Sequence, residues 1–256
     1  MNKKNAPLIR MENIHKWFGK VHAVDGISLT VDKGEIVGLV GNNGAGKSTL
    51  IKALVGVQPK NKGTYYWKGK EVEIKSIKDS RALGIEAVYQ DQALVDSLGV
   101  VKNIYYGREP IKRFGPFKTI DFDKMKSEVA PLFDELGLDV ASLDQEVRFC
   151  SGGERQGVAI VRAMLFRAKM VILDEPTTAL SVPAIKRVLN FMKALKQEGI
   201  SIILISHNID HVYQVADRIA VISHGHKILD ENTSENTKEE IEGVLHETAG
   251  AVYEEI

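Results

Sequence analysis

Nine residues, Gly41, Asn42, Asn43, Gly44, Ala45, Gly46, Lys47, Ser48 and Thr49, constrain this chain more than any other stretch. The apolar run Ile36–Val40 before them reads as a buried strand, and Leu50–Val55 after them reads as the body of a helix. The stretch is therefore a strand-to-helix loop, the context in which a glycine-rich pattern binds phosphate. Glycines 41, 44 and 46 let the backbone curl until successive N–H groups point inward, and the helix N-terminus adds unpaired donors and partial positive charge. A polyphosphate fits such a concavity. In the same scheme the Lys47 ammonium reaches the β- and γ-phosphates and the Ser48 hydroxyl ligates Mg²⁺.

At 256 residues the chain fits one large domain, or one domain carrying a smaller insert. Its 34 basic and 34 acidic side chains cancel, so charge gives no reason to expect a nucleic-acid partner. A single cysteine, Cys150, excludes an internal disulfide and fits a reducing compartment. The polar opening Met1 to Asn5 lacks the apolar core of a secretory signal, and no apolar run approaches the roughly 18 residues that span a bilayer. Work at a membrane would need other chains to do the spanning.

Leu8–Phe18 and Val21–Val31 read as two strands joined at Gly19 and Lys20, a small antiparallel sheet ahead of the core. Trp17 and Phe18 beside that turn either stack on a purine or pack under the hairpin. Short strands are expected at Thr64–Trp67 and Glu71–Ile74, then a helix capped by Ser76 and Asp79 and ending near Gly84. Ile85–Tyr89 reads as a further strand running into Gln90, whose amide either meets a metal or water or simply ends the strand at the surface.

From Asp91 to about Cys150 strand signals give way to helical ones, which marks the candidate insert. Phe122, Met125, Val129, Leu132, Phe133 and Leu136 recur at helical spacing after the N-cap candidate Asp121, predicting an amphipathic helix to Gly137 that Pro131 kinks. Arg108–Thr119, with two prolines, Gly115 and four basic residues, reads as an exposed loop. Ser151, Gly152, Gly153 and Glu154 open the next helix. Capping-box spacing accounts for Ser151 and Glu154, but each of the two glycines costs up to about 1 kcal/mol in a helix interior. Close approach of a ligand to the backbone explains them, which makes this helix start a second anion site.

Met170–Leu173 is a short strand ending in Asp174 and Glu175. Alternation at a strand end points two adjacent carboxylates to opposite sides, so that Asp174 holds Mg²⁺ through water while Glu175 polarises a hydrolytic water as general base. Pro183 suits the first turn of a helix striped by Ile185, Val188, Leu189, Met192 and Leu195 and closed by Gly199. Ile200–Ile205 is another buried strand, delivering Ser206 and His207 to the edge where open α/β sheets place ligands. His207 there is either a γ-phosphate contact or a structural histidine. Asp217–Ser223 and Lys227–Asp230 read as a terminal hairpin, and the tail from Ser234 as an acidic helix.

The order of phosphate loop, Gln90, Ser151-Gly152-Gly153-Glu154, Ile172-Leu173-Asp174-Glu175-Pro176 and His207 resembles the ATP-binding cassette family of nucleotide-binding domains over nearly the whole chain. Val88–Asp91, Asn103–Glu109, Arg155–Arg162 and Ser206–Asn208 look like the single-domain ATPase subunits of prokaryotic simple-sugar importers. The resemblance implies an α/β fold: a P-loop NTPase core with a mainly parallel sheet, an N-terminal antiparallel β subdomain, and an inserted α-helical subdomain. Its divisions fall at residues 1–90, 91–165 and 166–256 of a single domain. It implies ATP and Mg²⁺ as ligands, with Phe18 stacked on adenine, Gln90 sensing Mg²⁺ and connecting to the membrane partner, and His207 holding the γ-phosphate. Ser151 to Gly153 would contact the γ-phosphate held by a second subunit, so that two ATP molecules are sandwiched in a head-to-tail dimer. The implied partners are a second copy or a related ATPase subunit, transmembrane permease subunits and, indirectly, an extracytoplasmic solute-binding protein, with this chain peripheral on the cytoplasmic side of the cell membrane.

Cys150 stands where the family most often has leucine, Glu154 replaces the usual glutamine, and Gly157 takes a position that often holds arginine. None of these removes a phosphate ligand. Thr178-Ala179-Leu180-Ser181 ends in serine where aspartate is usual, which removes a carboxylate that helps couple the two sites. The expected function is an ATPase that powers import of a simple sugar. The rivals are a soluble ATPase of the same fold acting on ribosomes or DNA, and a module that binds ATP without turnover. The first usually carries tandem cassettes or coiled-coil inserts, absent here, and the second would lack Lys47 or Glu175.

Overall fold

A computed structural model describes residues 6–88, 94–135, 140–178 and 180–250. In chain order the elements are β1 (Ile9–Phe18), β2 (Val21–Val31), β3 (Ile36–Val40), α1 (Lys47–Leu54), β4 (Lys62–Trp67), β5 (Lys70–Val72), α2 (Ile77–Leu83), β6 (Ile85–Val88) and α3 (Val100–Tyr105). There follow β7 (Ile111–Phe114), β8 (Phe117–Ile120), α4 (Phe122–Glu135), α5 (Gly152–Leu165), β9 (Met170–Asp174), α6 (Val182–Gln197), β10 (Ser201–Ile205), α7 (Ile209–Tyr213), β11 (Arg218–Ser223), β12 (His226–Asn232) and α8 (Lys238–Gly250).

The central sheet runs β12-β11-β3-β10-β9-β6, parallel except for the β11–β12 hairpin. Residues 36–40, 170–174 and 201–205 are buried along their whole length. A strand covered on both faces is apolar along nearly its whole run, which is why these stretches show no alternation in sequence and place the polar Asp174 and Ser201 only at strand ends. One covering layer packs against the second sheet, antiparallel in the order β2-β1-β4-β5, through Ile9, Leu29, Leu50, Tyr65, Ile203 and their neighbours. The other is α6, α7 and α8 over Ile36, Leu173 and Ile202. A third apolar cluster joins α3, α4 and α5 through Val101, Met125, Phe133 and Val161. In it the buried Asn103 amide is fully used, bonding the backbone of Val95, Leu98 and Gly99.

The expected α/β class, the antiparallel sheet ahead of the core and the order of core strands agree with the structure. Ser76 caps α2, accepting the Asp79 N–H, and Gly84 ends it in a left-handed conformation. Asp121 Oδ1 accepts from Lys124 N–H at the start of α4, which continues past Pro131 to Glu135. Tyr89, Gln90, Leu136 and Gly137, on which other expectations fell, lie outside the described residues.

Two expectations fail. The stretch expected to be an exposed loop over Arg108–Thr119 contains the β7–β8 hairpin, pairing Ile111 with Ile120 and Phe114 with Phe117. Gly115 (φ +59°) and Pro116 are its two-residue turn rather than signs of irregular chain. The basic residues are partly paired, since Lys112 faces Asp121 and Asp123. The second is the strand expected at Glu71–Ile74, which ends at Val72, leaving Ile74 buried beyond it. Burial, not strand pairing, explains the apolar residue there.

One polar cluster bolts the two sheets together. The Arg218 guanidinium on β11 bonds Glu35 at the foot of β3 (2.8 Å from Nε), Asp230 on β12, and the Thr30 carbonyl on β2. All three charged side chains are mostly buried. Arg218→Ala leaves two carboxylates partly desolvated, and the expected cost is about 3 kcal/mol, the low end for a broken buried pair because Lys227 still faces Asp230. The shift in urea midpoint measures it.

Candidate functional site

Because β3, β9 and β10 are parallel, their carboxyl ends open on one edge. There a cavity of about 360 Å³ is lined by Ala23, residues 43–49, Asp174, Glu175, Ile205 and His207. The loop's glycines are needed for different reasons. A Cβ on Gly41 would lie 2.1 Å from the Ile222 carbonyl oxygen, and one on Gly46 2.4 Å from that of Ala23. A Cβ on Gly44 would meet nothing within 4 Å, but its φ of +81° is one that side chains disfavour. Gly41 and Gly46 are thus fixed by the protein's own backbone, while Gly44 faces open space. No side chain caps the start of α1 at Gly46, which leaves first-turn N–H groups for an anion.

Lys47 is 7% exposed and donates to the carbonyls of Gly41 (2.6 Å) and Asn42 (3.0 Å), so its ammonium sits inside the loop's curl. Burial pushes its pKa below the ordinary lysine value, and the charges of Glu175 and Asp174 pull it back up. Asp174, at the end of β9, is buried too. Desolvation raises its carboxyl above the ordinary value, a hydrogen bond from the Ser48 hydroxyl opposes this, and the neighbouring Glu175 charge adds to the rise.

Glu175 has left the strand, with φ +52°. The expectation that the two carboxylates point to opposite sides is corrected here: strand alternation ends at Asp174, and both acids line the same cavity. The Glu175 carboxylate accepts the His207 backbone N–H (3.0 Å) and the hydroxyls of Thr178 (3.2 Å) and Ser206 (3.3 Å), and its Oε1 lies 2.8 Å from His207 Nδ1. Its own N–H donates to the Ile205 carbonyl, fixing the backbone against β10. This acid is therefore aimed by the end of a neighbouring strand. Thr178 was missed by sequence reading, as was Ala23, which reaches the cavity from the other sheet and carries no local signal.

The fit to a polyphosphate rests on the open face at Gly44, the uncapped helix start and the enclosed ammonium. The fit to Mg²⁺ rests on hard oxygen donors, the Ser48 hydroxyl bonded to the Asp174 carboxylate. A bound Mg²⁺ would supply charge neutralisation at the phosphates, while Ser48 and Asp174 hold its place.

The other expected residues stand apart. Phe18 ends β1 with its ring 43% exposed and the Lys16 ammonium 5.3 Å from its centroid. Ser151 caps α5 in a complete capping box, accepting from Glu154 N–H while the Glu154 carboxylate accepts from Ser151 N–H. A Cβ on Gly153 would come no closer than 3.8 Å to any neighbour, and one on Gly152 would meet only the tip of Leu180, at 3.1 Å. Neither the Ser151–Glu154 turn nor Phe18, Gly41 or Asn42 lines the cavity. Gln90 lies outside the described residues.

A phosphate loop between β3 and α1, with two acids at the end of the parallel strand β9 lining the same cavity, defines a P-loop nucleoside triphosphatase. A sequence family described as ABC transporter matches residues 24–178. The chain belongs to that family, as an ATP-binding cassette with ATPase activity. It is 42% identical over 238 residues to the xylose/arabinose import ATP-binding protein XylG of Sulfolobus acidocaldarius, covering 93% of each chain. To the ribose import ATP-binding protein RbsA of Caldanaerobacter subterraneus subsp. tengcongensis it is 39% identical over 235 residues, covering 92% of this chain but 47% of that protein. A solved structure of an ATP-binding cassette of an ABC transporter, in its ADP conformation, matches with a TM-score of 0.80 at 26% identity, covering 98% of this chain and 100% of that one.

The raised Asp174 carboxyl has a consequence for stability. A carboxyl whose folded pKa lies above its unfolded value contributes stability fully below the unfolded value, and that contribution is lost as pH rises through the folded one. Nucleotide-free Asp174→Asn, compared with the parent chain by thermal unfolding, is expected to gain relative stability as pH climbs out of the ordinary aspartate range. A difference that stays flat across that range contradicts the desolvation of Asp174.

Proposed function

We propose that this chain is the ATP-hydrolysing subunit of a membrane importer for a simple sugar, working as a head-to-tail pair. The observation that carries the pairing is the separation of the two anion-binding elements. The phosphate loop lines the cavity, whereas Ser151, Gly152 and Gly153 lie outside it at a helix start, exposed at Ser151 and Gly152 and with room beside Gly153. A second copy, or a related ATPase subunit, would bring its own Ser151–Gly153 turn against the γ-phosphate held by this loop. In this reading residues 1–90 and 166–256 grip one face of the nucleotide, and the helical insert over 91–165 carries the second face across to the partner.

Within the closed pair, Lys47 and the loop N–H groups would bind the β- and γ-phosphates, Ser48 and Asp174 would hold Mg²⁺ with Gln90, and Phe18 would stack on adenine. Glu175 is the general base, and the Thr178 and Ser206 hydroxyls with the His207 backbone N–H set the direction in which it accepts a proton from water. His207 moves from Glu175 to the γ-phosphate on closure. Simple sugars as cargo are supported by the relatives, whose names give import of xylose/arabinose, ribose and, for FrcA of Rhizobium meliloti at 39% identity, fructose. Among the described residues no helix is long and apolar enough to cross a membrane. Permease subunits would form the path, with this chain bound at their cytoplasmic face and a solute-binding protein acting on the far side.

Glu175→Gln is expected to lower turnover by at least about a hundredfold, the scale of a general base, while ATP binding persists and a nucleotide-bound dimer accumulates on size exclusion. Near-normal hydrolysis would remove Glu175 from the role. Ser151→Arg is expected to leave ATP binding to monomers intact and to abolish the dimer; loss of ATP binding itself would refute the shared site.

A further inference from the structure

Away from the phosphate cavity, the described residues hold one group of nitrogen and oxygen ligands that converge. His15 on β1 and His22 and Asp25 on β2, all partly buried, place one ligand atom each within 4.8 Å of the others. His15 Nδ1 lies 3.1 Å from His22 Nε2 and 3.2 Å from Asp25 Oδ1, and His22 Nδ1 lies 3.2 Å from Asp25 Oδ2. His226, at the start of β12, adds an Nε2 3.6 Å from Asp25 Oδ2. Trp17 stacks on His22 with centroids 4.4 Å apart, which limits that ring's rotation.

His15 Nε2 lies 3.1 Å from Asn13 Oδ1, which accepts its N–H in the tautomer that turns the Nδ1 lone pair toward His22 and Asp25. Two imidazoles and a carboxylate thus bring nitrogen and oxygen donors together in one place, the donor types that hold a zinc-class ion. Donation of the second ring N–H to a carbonyl or carboxylate is how metal-binding histidines are oriented. Ligand atoms about 2.0–2.1 Å from a tetrahedral zinc stand roughly 3.3–3.4 Å apart, close to the separations here, so small ring rotations suffice.

The geometry points to a binding site for one divalent transition-metal ion of the zinc class, held by His15 Nδ1, His22 Nε2 and the Asp25 carboxylate, with His226 beside that carboxylate. Imidazole with a single carboxylate favours Zn²⁺, Co²⁺ or Ni²⁺ over Mg²⁺, which sets this ion apart from the one at the phosphates. The site also touches the nucleotide loop through the backbone. Asp25 N–H donates to the Gly225 carbonyl (2.8 Å), Gly225 N–H donates to the Ala45 carbonyl (2.9 Å), and Ala23 lines the cavity. An ion here braces β1, β2 and the C-terminal hairpin against the loop.

The full chain, stripped with chelator and free of nucleotide, is titrated with Zn²⁺ by calorimetry and with Co²⁺ by visible absorption. One equivalent is expected, with the intense visible bands of tetrahedral Co²⁺. Affinity should fall at least tenfold in His15→Gln and in His22→Gln, and roughly ten- to a hundredfold in Asn13→Gly, which removes the acceptor at His15 Nε2 while tolerating the left-handed φ of +49° at that position. Circular dichroism and Mg-ATP binding verify that each variant is folded. His226→Gln changes an exposed ring, spares the fold, and should lower affinity less. Asp174→Asn should leave it unchanged. The proposal is overturned if the parent chain binds no stoichiometric metal. It is equally overturned if folded His15→Gln and His22→Gln bind as tightly as the parent, or if Asp174→Asn alone abolishes binding.

Discussion

Everything functional in this molecule depends on keeping an ammonium and two carboxylates out of water at the end of a parallel sheet. Lys47 and Asp174 are more than nine-tenths buried and Glu175 is 12% exposed, and isolated charges so placed would neutralise themselves rather than remain. They persist because each has fixed partners: loop carbonyls for Lys47, the Ser48 hydroxyl for Asp174, and the β10 terminus for Glu175. The opposing pKa shifts of Lys47 and Asp174 are two views of the same desolvation. A polyphosphate with its metal completes such a set, because it supplies the negative charge Lys47 lacks and the positive charge Asp174 lacks.

That requirement orders the rest of the fold. The strands must be parallel so that their carboxyl ends share an edge, and they are apolar along nearly their whole run because the antiparallel sheet covers one face and α6 to α8 the other. Glu175 shows how closely loop and sheet are matched. Its left-handed backbone costs energy, of order 1–3 kcal/mol for a residue that is not glycine. The hydrogen bond from its N–H to Ile205 and those received by its carboxylate hold it there. The conformation turns an acid at the end of one strand toward the first residues after another, which strand alternation does not do.

Much of this was legible in the sequence because it rests on local rules. The phosphate loop, the capping residues Ser76, Asp121 and Ser151, and the buried runs 36–40, 170–174 and 201–205 each carry their signal within a few residues. What was not legible depends on neighbours distant in sequence. Ala23 reaches the cavity only because one sheet packs on the other, and the aim of Glu175 is set by residue 207. The β7–β8 hairpin failed for a different reason: Gly115 and Pro116 are turn residues in a loop and in a hairpin alike, and the pairing of Ile111 with Ile120 lies outside any short window.

The backbone at Gly225 shows how the separate parts act on one another. Its carbonyl accepts from Asp25 on the antiparallel sheet, and its N–H donates to Ala45 in the phosphate loop. Gly225, in the β11–β12 turn, therefore pairs both with the loop and with the sheet that carries Phe18. Gly41 is pressed against Ile222 on the same hairpin, and Gly46 against Ala23. A loop gripped from three sides has little freedom to rearrange around a ligand, so nucleotide would meet a preformed cradle, and its binding energy would remain available for drawing the exposed Ser151–Gly153 turn of a second copy into place.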